Sequence, residues 1–244
     1  MLESIPTVHR RFWITIWVVA ALLMCASFIT QVSGWDIAVE RWYWNGHGFI
    51  WADAWLTETF SHKWLKLAIW MLFLYALFNA FFSSFLHLSD SRLTKVSWNL
   101  PRSRWIYFAA MLLIIAALVG LLKSISHEPC PVATTLFGGK LPYVLWYVDA
   151  WPQGLKSGKC FPAGHASAGF ALFAMYFMLR DHAPRAARWS LLAPLFIGGF
   201  MAHAQHMRGQ HFLSRSFATA AIAWGVAGIG YGLLLKIEKK FHDT

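Results

Sequence analysis

Charge is what this sequence has least of. Only 13% of its 244 residues are Asp, Glu, Lys or Arg, and 11 are acidic. A soluble domain carries about twice that charged fraction, so a water-soluble fold is excluded. Cysteine is also scarce, at three residues. Cys25 falls inside an apolar block and reads as a small packed side chain. No small-residue cleavage site follows the opening MLESIPTVHRRFW, so the first apolar block reads as an anchor and not as a removed signal. No carboxylate lies within an apolar block and no broken-helix repeat is visible, which argues against a transporter.

What is present is apolar sequence in long blocks. Hydrophobic residues make up 58% of the chain, and the mean hydropathy is +0.47. The blocks match the hydrocarbon thickness of a bilayer. They predict an all-α, polytopic membrane bundle of about six spans, at residues 12–33, 64–85, 105–122, 165–179, 189–206 and 217–235. One membrane-embedded domain over residues 1–244 is expected, with a long polar loop at 123–164. Residues 35–62 are Trp-rich and polar, as in an interfacial stretch with a short surface helix. The 15 Trp residues suit an aromatic belt, and the Ala/Gly-rich sixth span suits close helix packing.

The net charge is +10, which in a soluble chain would raise the question of nucleic acid. Here the basic residues sit between apolar blocks, so the expected partners are membrane lipids and no nucleic acid is implied. Arg10 and Arg11, then Arg92, Lys95, Arg102 and Arg104, then Arg180, Arg185 and Arg188, then Lys236, Lys239 and Lys240 all fall on one side. The positive-inside rule makes that side cytoplasmic, with both termini there. A bacterial inner membrane is the expected location. Lys123, Lys140, Lys156, Lys159, Arg208 and Arg215 fall on the opposite, periplasmic side, where positive charge suggests an anionic substrate.

Three polar segments share that outer side: Lys123 to Pro131, the run CFPAGH ending at His165, and the run MRGQHFLSR containing His211. Lys and Arg neutralise phosphate oxygens. Pro-Ala-Gly before a helix offers backbone N–H groups to an anion. Two histidines can divide nucleophilic attack and leaving-group protonation, with no metal or cofactor required. A metal site from His203, His206 and His211 has helical spacing, but no Cys or carboxylate joins it locally. Cys130 and Cys160 flank the outer loop, where an oxidising compartment would permit a disulfide bracing the pocket; two reduced thiols are the alternative. His47, His62 and His127 read as surface or interfacial residues.

These segments resemble the motifs of the type-2 phosphatidic acid phosphatase superfamily. CFPAGH resembles its P-S-G-H motif, GQHFLS resembles the G-x-H-x-x-S core of its third motif, and Lys123 with Cys130-Pro131 resembles its K-x6-R-P motif. The resemblance implies a lipid-phosphate phosphatase. His211 would be the nucleophile forming a phosphohistidine, His165 the acid, Lys123 a phosphate ligand, and the backbone of Ala163 and Gly164 an anion-binding turn. There are departures. Cys130 stands for a motif Arg, Ala163 for Ser, Gln205 for a second Arg, and Arg215 for the Asp that orients the nucleophile. Arg208 and Arg215 are candidate replacement phosphate ligands, with Lys159 or Lys140 assisting. Asp149 and Glu128 are candidates to hold His211. The expected substrate is a lipid phosphate or pyrophosphate. A lipid phosphotransferase and a non-catalytic lipid-binding relative are the alternatives, and the oligomeric state is left open.

Overall fold

Four stretches are apolar and long enough to cross a bilayer, and each forms a helix. The computed structural model describes residues 10–86, 100–145, 154 and 158–242. Among these residues the fold is helical, with two isolated β-bridges and no strand. Helix α1 spans Arg10–Val32, and the short α2 spans Trp35–Arg41. A π-helical stretch, Leu56–Trp64, runs directly into α3, Leu65–Leu86. Helix α4 spans Arg102–Ile125. Neither α1 nor α3 contains Gly or Pro, so nothing interrupts their backbone ladders.

The fourth and fifth expected spans depart from that regularity. The fourth consists of α5, Ala166–Phe170, and α6, Phe173–Leu179. The fifth is divided into α7, Pro184–Ser190, a π-helical stretch Pro194–Gly198, and α8, Gly199–Met207. Pro194 lacks an N–H and Gly198 and Gly199 follow it, so the regular i→i−4 ladder breaks there. Hence, among the described residues, four helices meet the length and hydropathy of a full span, and the fourth and fifth expected spans are made of shorter apolar elements. The last is α9, Leu213–His242, and it is the central one: 72% of its most apolar window is buried, against 17% for α1.

Packing between the interrupted elements requires bare backbone. A Cβ on Gly169 of α5 would lie 2.5 Å from the Cα of Gly198, and one on Gly198 would lie 2.6 Å from a Phe170 ring carbon. The two segments therefore touch through glycine, the close approach expected of helices in lipid.

The bundle has two chemically distinct ends. At one, the buried Arg104 pairs with Asp181 at 3.1 Å and Glu238 at 2.9 Å. Ser103 donates to Glu238, Tyr231 donates its hydroxyl proton to Asp181, and the Arg180 guanidinium covers the Phe12 ring. This brings together the starts of α1 and α4, the turn after α6 and the end of α9, the places that carry basic residues at 10–11, 102–104, 180–188 and 236–240. Arg92, Lys95, Asp149 and Lys156 lie outside the described residues. The other end gathers Lys123, Cys130, Cys160, His165 and His211.

Gly169→Val should drive the side chain into the Gly198 backbone and cost about 1–3 kcal/mol. Gly225→Ala, where a Cβ meets nothing within 4 Å, should leave stability unchanged or raise it by up to about 1 kcal/mol. Thermal unfolding in detergent checks both; equal effects would remove the glycine contact from the account.

Candidate active site

The polar end is built by folding the loop after α4 onto the start of α9. The loop's two limbs pair through backbone hydrogen bonds, Gly158 N–H to His127 carbonyl and Cys160 N–H to Glu128 carbonyl, both 2.9 Å. A disulfide joins Cys130 to Cys160, with Cα atoms 5.2 Å apart. The paired limbs are fastened to α9 by Arg215, whose side chain is fully buried. Its guanidinium donates to the Pro129 carbonyl at 2.8 Å and lies 3.3 Å from the Glu128 carboxylate. A buried cation demands such partners. Arg215 therefore fastens the loop, and its guanidinium is buried rather than open to solvent. Glu128, expected to orient His211, faces Arg215 instead. Burial pushes Glu128 up to about 7, with Arg215 opposing the shift.

Two carboxylates from α2 complete the anchorage. Asp36 accepts from the N–H of Ser214 at 2.7 Å and from its hydroxyl at 2.6 Å, capping the first turn of α9. Burial nevertheless raises its pKa, against the hydrogen bonds of Ser214. Glu40 is fully buried and lies 3.3 Å from His206 Nδ1. His206 donates from Nδ1 to the His211 carbonyl at 2.6 Å, and its Nε2 accepts from Ser216. Nothing in the sequence pattern aimed α2 at this site. The available sign was two acidic residues, four apart, in a chain with 11.

His211 is thereby fixed from both sides. Gly209 precedes it with φ +64, where a Cβ would strike the Phe49 ring at 2.2 Å, so only glycine fits this turn. Phe49, Phe137 and Phe212 form a small apolar cluster beside it, with Trp44 and Tyr143 packed on them. The His211 ring is buried, and its Nδ1 lies 3.3 Å from the Cys160 carbonyl. The Cys160 sulfur, held in the disulfide, approaches the same nitrogen at 3.5 Å. A proton on Nδ1 donated to that carbonyl leaves the lone pair on Nε2. The orienting role expected of a carboxylate thus falls to a backbone oxygen that the disulfide holds in place. Burial holds the His211 pKa well below the usual histidine value, with the charges of Lys123, Arg215 and His206 acting the same way.

His165 heads α5 at the same end. Its Nε2 lies 3.4 Å from the Ser61 carbonyl, and its ring stacks on His62 with centroids 4.1 Å apart. Burial and then the His62 charge push it down to about 4, with Lys66 and Arg208 adding to the shift. These shifts favour the neutral form of both histidines. Lys123 connects their neighbourhoods. It acts on His211, and its side chain lies along the turn before His165: a Cβ on Gly164 would meet Lys123 Cδ at 3.3 Å and Nζ at 3.7 Å.

The remaining expected residues divide. Arg208 is half-buried and donates from Nε to the Ala52 carbonyl at 2.8 Å, beside His165. Ala163 is buried, and its N–H donates to Thr219 at 2.8 Å, so this half of the expected anion-binding turn is already engaged. Lys159 is exposed at the tip of the paired limbs with φ 49. His203, His206 and His211 each face separate partners; Tyr43 and His203 share a 3.1 Å hydrogen bond. Among the described residues no group of three or more His, Cys, Asp or Glu is arranged to hold a metal ion. His62 and Ser61 were not legible as site residues. Their one signal is that His62 precedes the second apolar block at the depth where His165 precedes the fourth.

The fold thus brings two histidines and a lysine together at one end of a helical membrane bundle. The family model of the PAP2 superfamily matches residues 104–238, over half of the chain, and the chain belongs to that superfamily, whose members are mostly phosphatases. No curated protein and no solved structure matched it. The matched region contains Lys123, His165 and His211, while α1, α2, the first π-helical stretch and α3 lie outside it.

Reduction of the disulfide, or the double substitution Cys130→Ala/Cys160→Ala, should lower stability by roughly 3 kcal/mol for a loop of this length. Thermal unfolding with and without reductant reads this directly. The buried histidines also set a pH dependence. Their folded pKa values lie below the unfolded value of about 6.5, so their contribution is complete above that pH and is lost as pH falls toward the folded pKa of His165, about 4. Glu128 acts oppositely, its contribution being lost as pH rises toward about 7. His165→Gln should flatten the acid-side loss of stability between these limits relative to the parent chain; an unchanged pH profile of unfolding would contradict it.

Proposed function

We propose that this protein is a metal-independent phosphatase acting on a lipid phosphate or pyrophosphate at the periplasmic face of a bacterial inner membrane. The observation that carries the reading is the His211 imidazole, held at Nδ1 by the Cys160 carbonyl with its Nε2 lone pair available, in the field of Lys123. A neutral buried imidazole with an oriented lone pair is a nucleophile for phosphorus. Lys123 neutralises charge on the equatorial oxygens. His211 Nε2 attacks phosphorus and forms a phosphohistidine, while His165, which takes up a proton when the bound substrate's negative charge offsets the cations around it, protonates the departing oxygen. Water then cleaves the N–P bond, with His165 taking the water proton. Arg208 assists at the His165 side.

Purified protein in detergent, with chelator present, should release phosphate from at least one member of a panel of lipid phosphates. His211→Ala should abolish release, and His165→Ala should lower it by about 10²–10⁴. Transfer of label to a lipid acceptor in place of water would establish the phosphotransferase alternative. No release and no transfer, in protein shown to be folded, would make the site a lipid-binding pocket only.

A further inference from the structure

The imidazole assigned as the acid is flanked by Ser61, His62 and Lys66, which lie outside the matched region, and by Arg208, which lies within it. His62 stacks on it with planes 7° apart, and Ser61 presents its carbonyl to Nε2. Both come from the π-helical stretch Leu56–Trp64, whose wider turn precedes α3. Lys66 follows in the first turn of α3. Arg208 comes from the end of α8 and is pinned to the Ala52 carbonyl, in the loop leading to the same stretch. Lys66 and Arg208 act on His165 as positive charges, and His62 does so when protonated. The neighbouring charges acting on His62 include one acid, Glu58, and Lys63. His62 and Lys66 are exposed.

The positions of the cations matter. Lys123 lies between the two histidines, along the Gly164 turn and within the field of His211, and suits the phosphoryl group being transferred. The second group of cations lies with the acid, on the side where the leaving group departs. A lipid monophosphate expels an alcohol, which is neutral once protonated and gains little from the cations Lys66 and Arg208. A lipid diphosphate expels a monophosphate, which stays anionic after protonation. Preorganised positive charge is worth most where negative charge ends up.

We propose, resting on the phosphatase reading above, that His62, Lys66 and Arg208 form a leaving-group subsite and that the preferred substrate is a lipid diphosphate. His211 Nε2 attacks the terminal phosphorus, forming the N–P bond as the bond from that phosphorus to the bridging oxygen breaks. The bridging oxygen takes the His165 proton and departs as the lipid monophosphate. Water then attacks the phosphohistidine and gives its proton to His165; inorganic phosphate leaves and His211 is restored. The negative charge of the bound diphosphate offsets the cations around His165 and allows it to carry the proton it donates. Trp55 and Phe60, which stack on each other at the start of the same stretch, offer the apolar contact a lipid chain requires.

The test compares kcat/KM for the diphosphate and the monophosphate of one prenyl alcohol, in detergent, for the parent protein, His62→Gln and Lys66→Gln. The parent should favour the diphosphate by at least about tenfold, and each substitution should lower the diphosphate-to-monophosphate ratio at least about fivefold. Lys66 is exposed, so its variant keeps the fold if the His62 variant does not. A His211-dependent phosphatase with no diphosphate preference would overturn this inference alone, as would variants that slow both substrates equally. Folded protein that releases phosphate from neither substrate would overturn the phosphatase reading as well.

Discussion

The buried guanidinium of Arg215 is the constraint on which the outer end depends. A cation with no exposure must be answered by oxygen atoms, and the atoms that answer it belong to Glu128 and Pro129, more than eighty residues earlier in the chain. That pairing draws the long loop onto the first turn of α9. The disulfide passes the constraint from residue 130 to residue 160. The carbonyl of Cys160 then meets His211, four residues before the arginine that began the chain of contacts. Truncating such a paired buried charge generally costs roughly 3–5 kcal/mol, and here it would also release the histidine.

The same loop explains how the site does without the motif carboxylate. A carbonyl oxygen fixes the tautomer of an imidazole as a carboxylate does, but brings no full negative charge to stabilise an imidazolium. His211 accordingly stays neutral in a cationic setting. The carboxylates that are present, Asp36 and Glu40 from α2, act on the backbone around His211, through Ser214 and His206, and not on the ring. Orientation and charge compensation, joined in one side chain in the family motif, are here divided among separate groups.

Much of this was legible in the sequence, for identifiable reasons. Hydropathy alone marks α1, α3, α4 and α9, because a bilayer demands long apolar helices. Lys123, His165 and His211 were legible because the motifs that carry them are local in the chain. The interruption within the fourth span and the π-helical stretches were not, because they depend on which helix face meets which neighbour. His62 read as an interfacial residue since only the fold stacks it on a ring 103 positions away. Arg215 read as a phosphate ligand because its charge was visible and its burial was not. Ala163 stands where the motif predicts an anion-binding turn, yet Thr219 on α9 takes its N–H. In each case the residue type was visible in the sequence, and its partner lay in a distant segment.

The most direct measurement is to trap the covalent intermediate. Protein mixed with a substrate labelled in its terminal phosphate, then quenched at alkaline pH where phosphohistidine survives, would be digested and mapped by mass spectrometry. Label on the peptide containing His211, lost in His211→Ala, is the predicted result. Turnover without label at His211, or label on another residue, would contradict the assignment of His211 as the nucleophile.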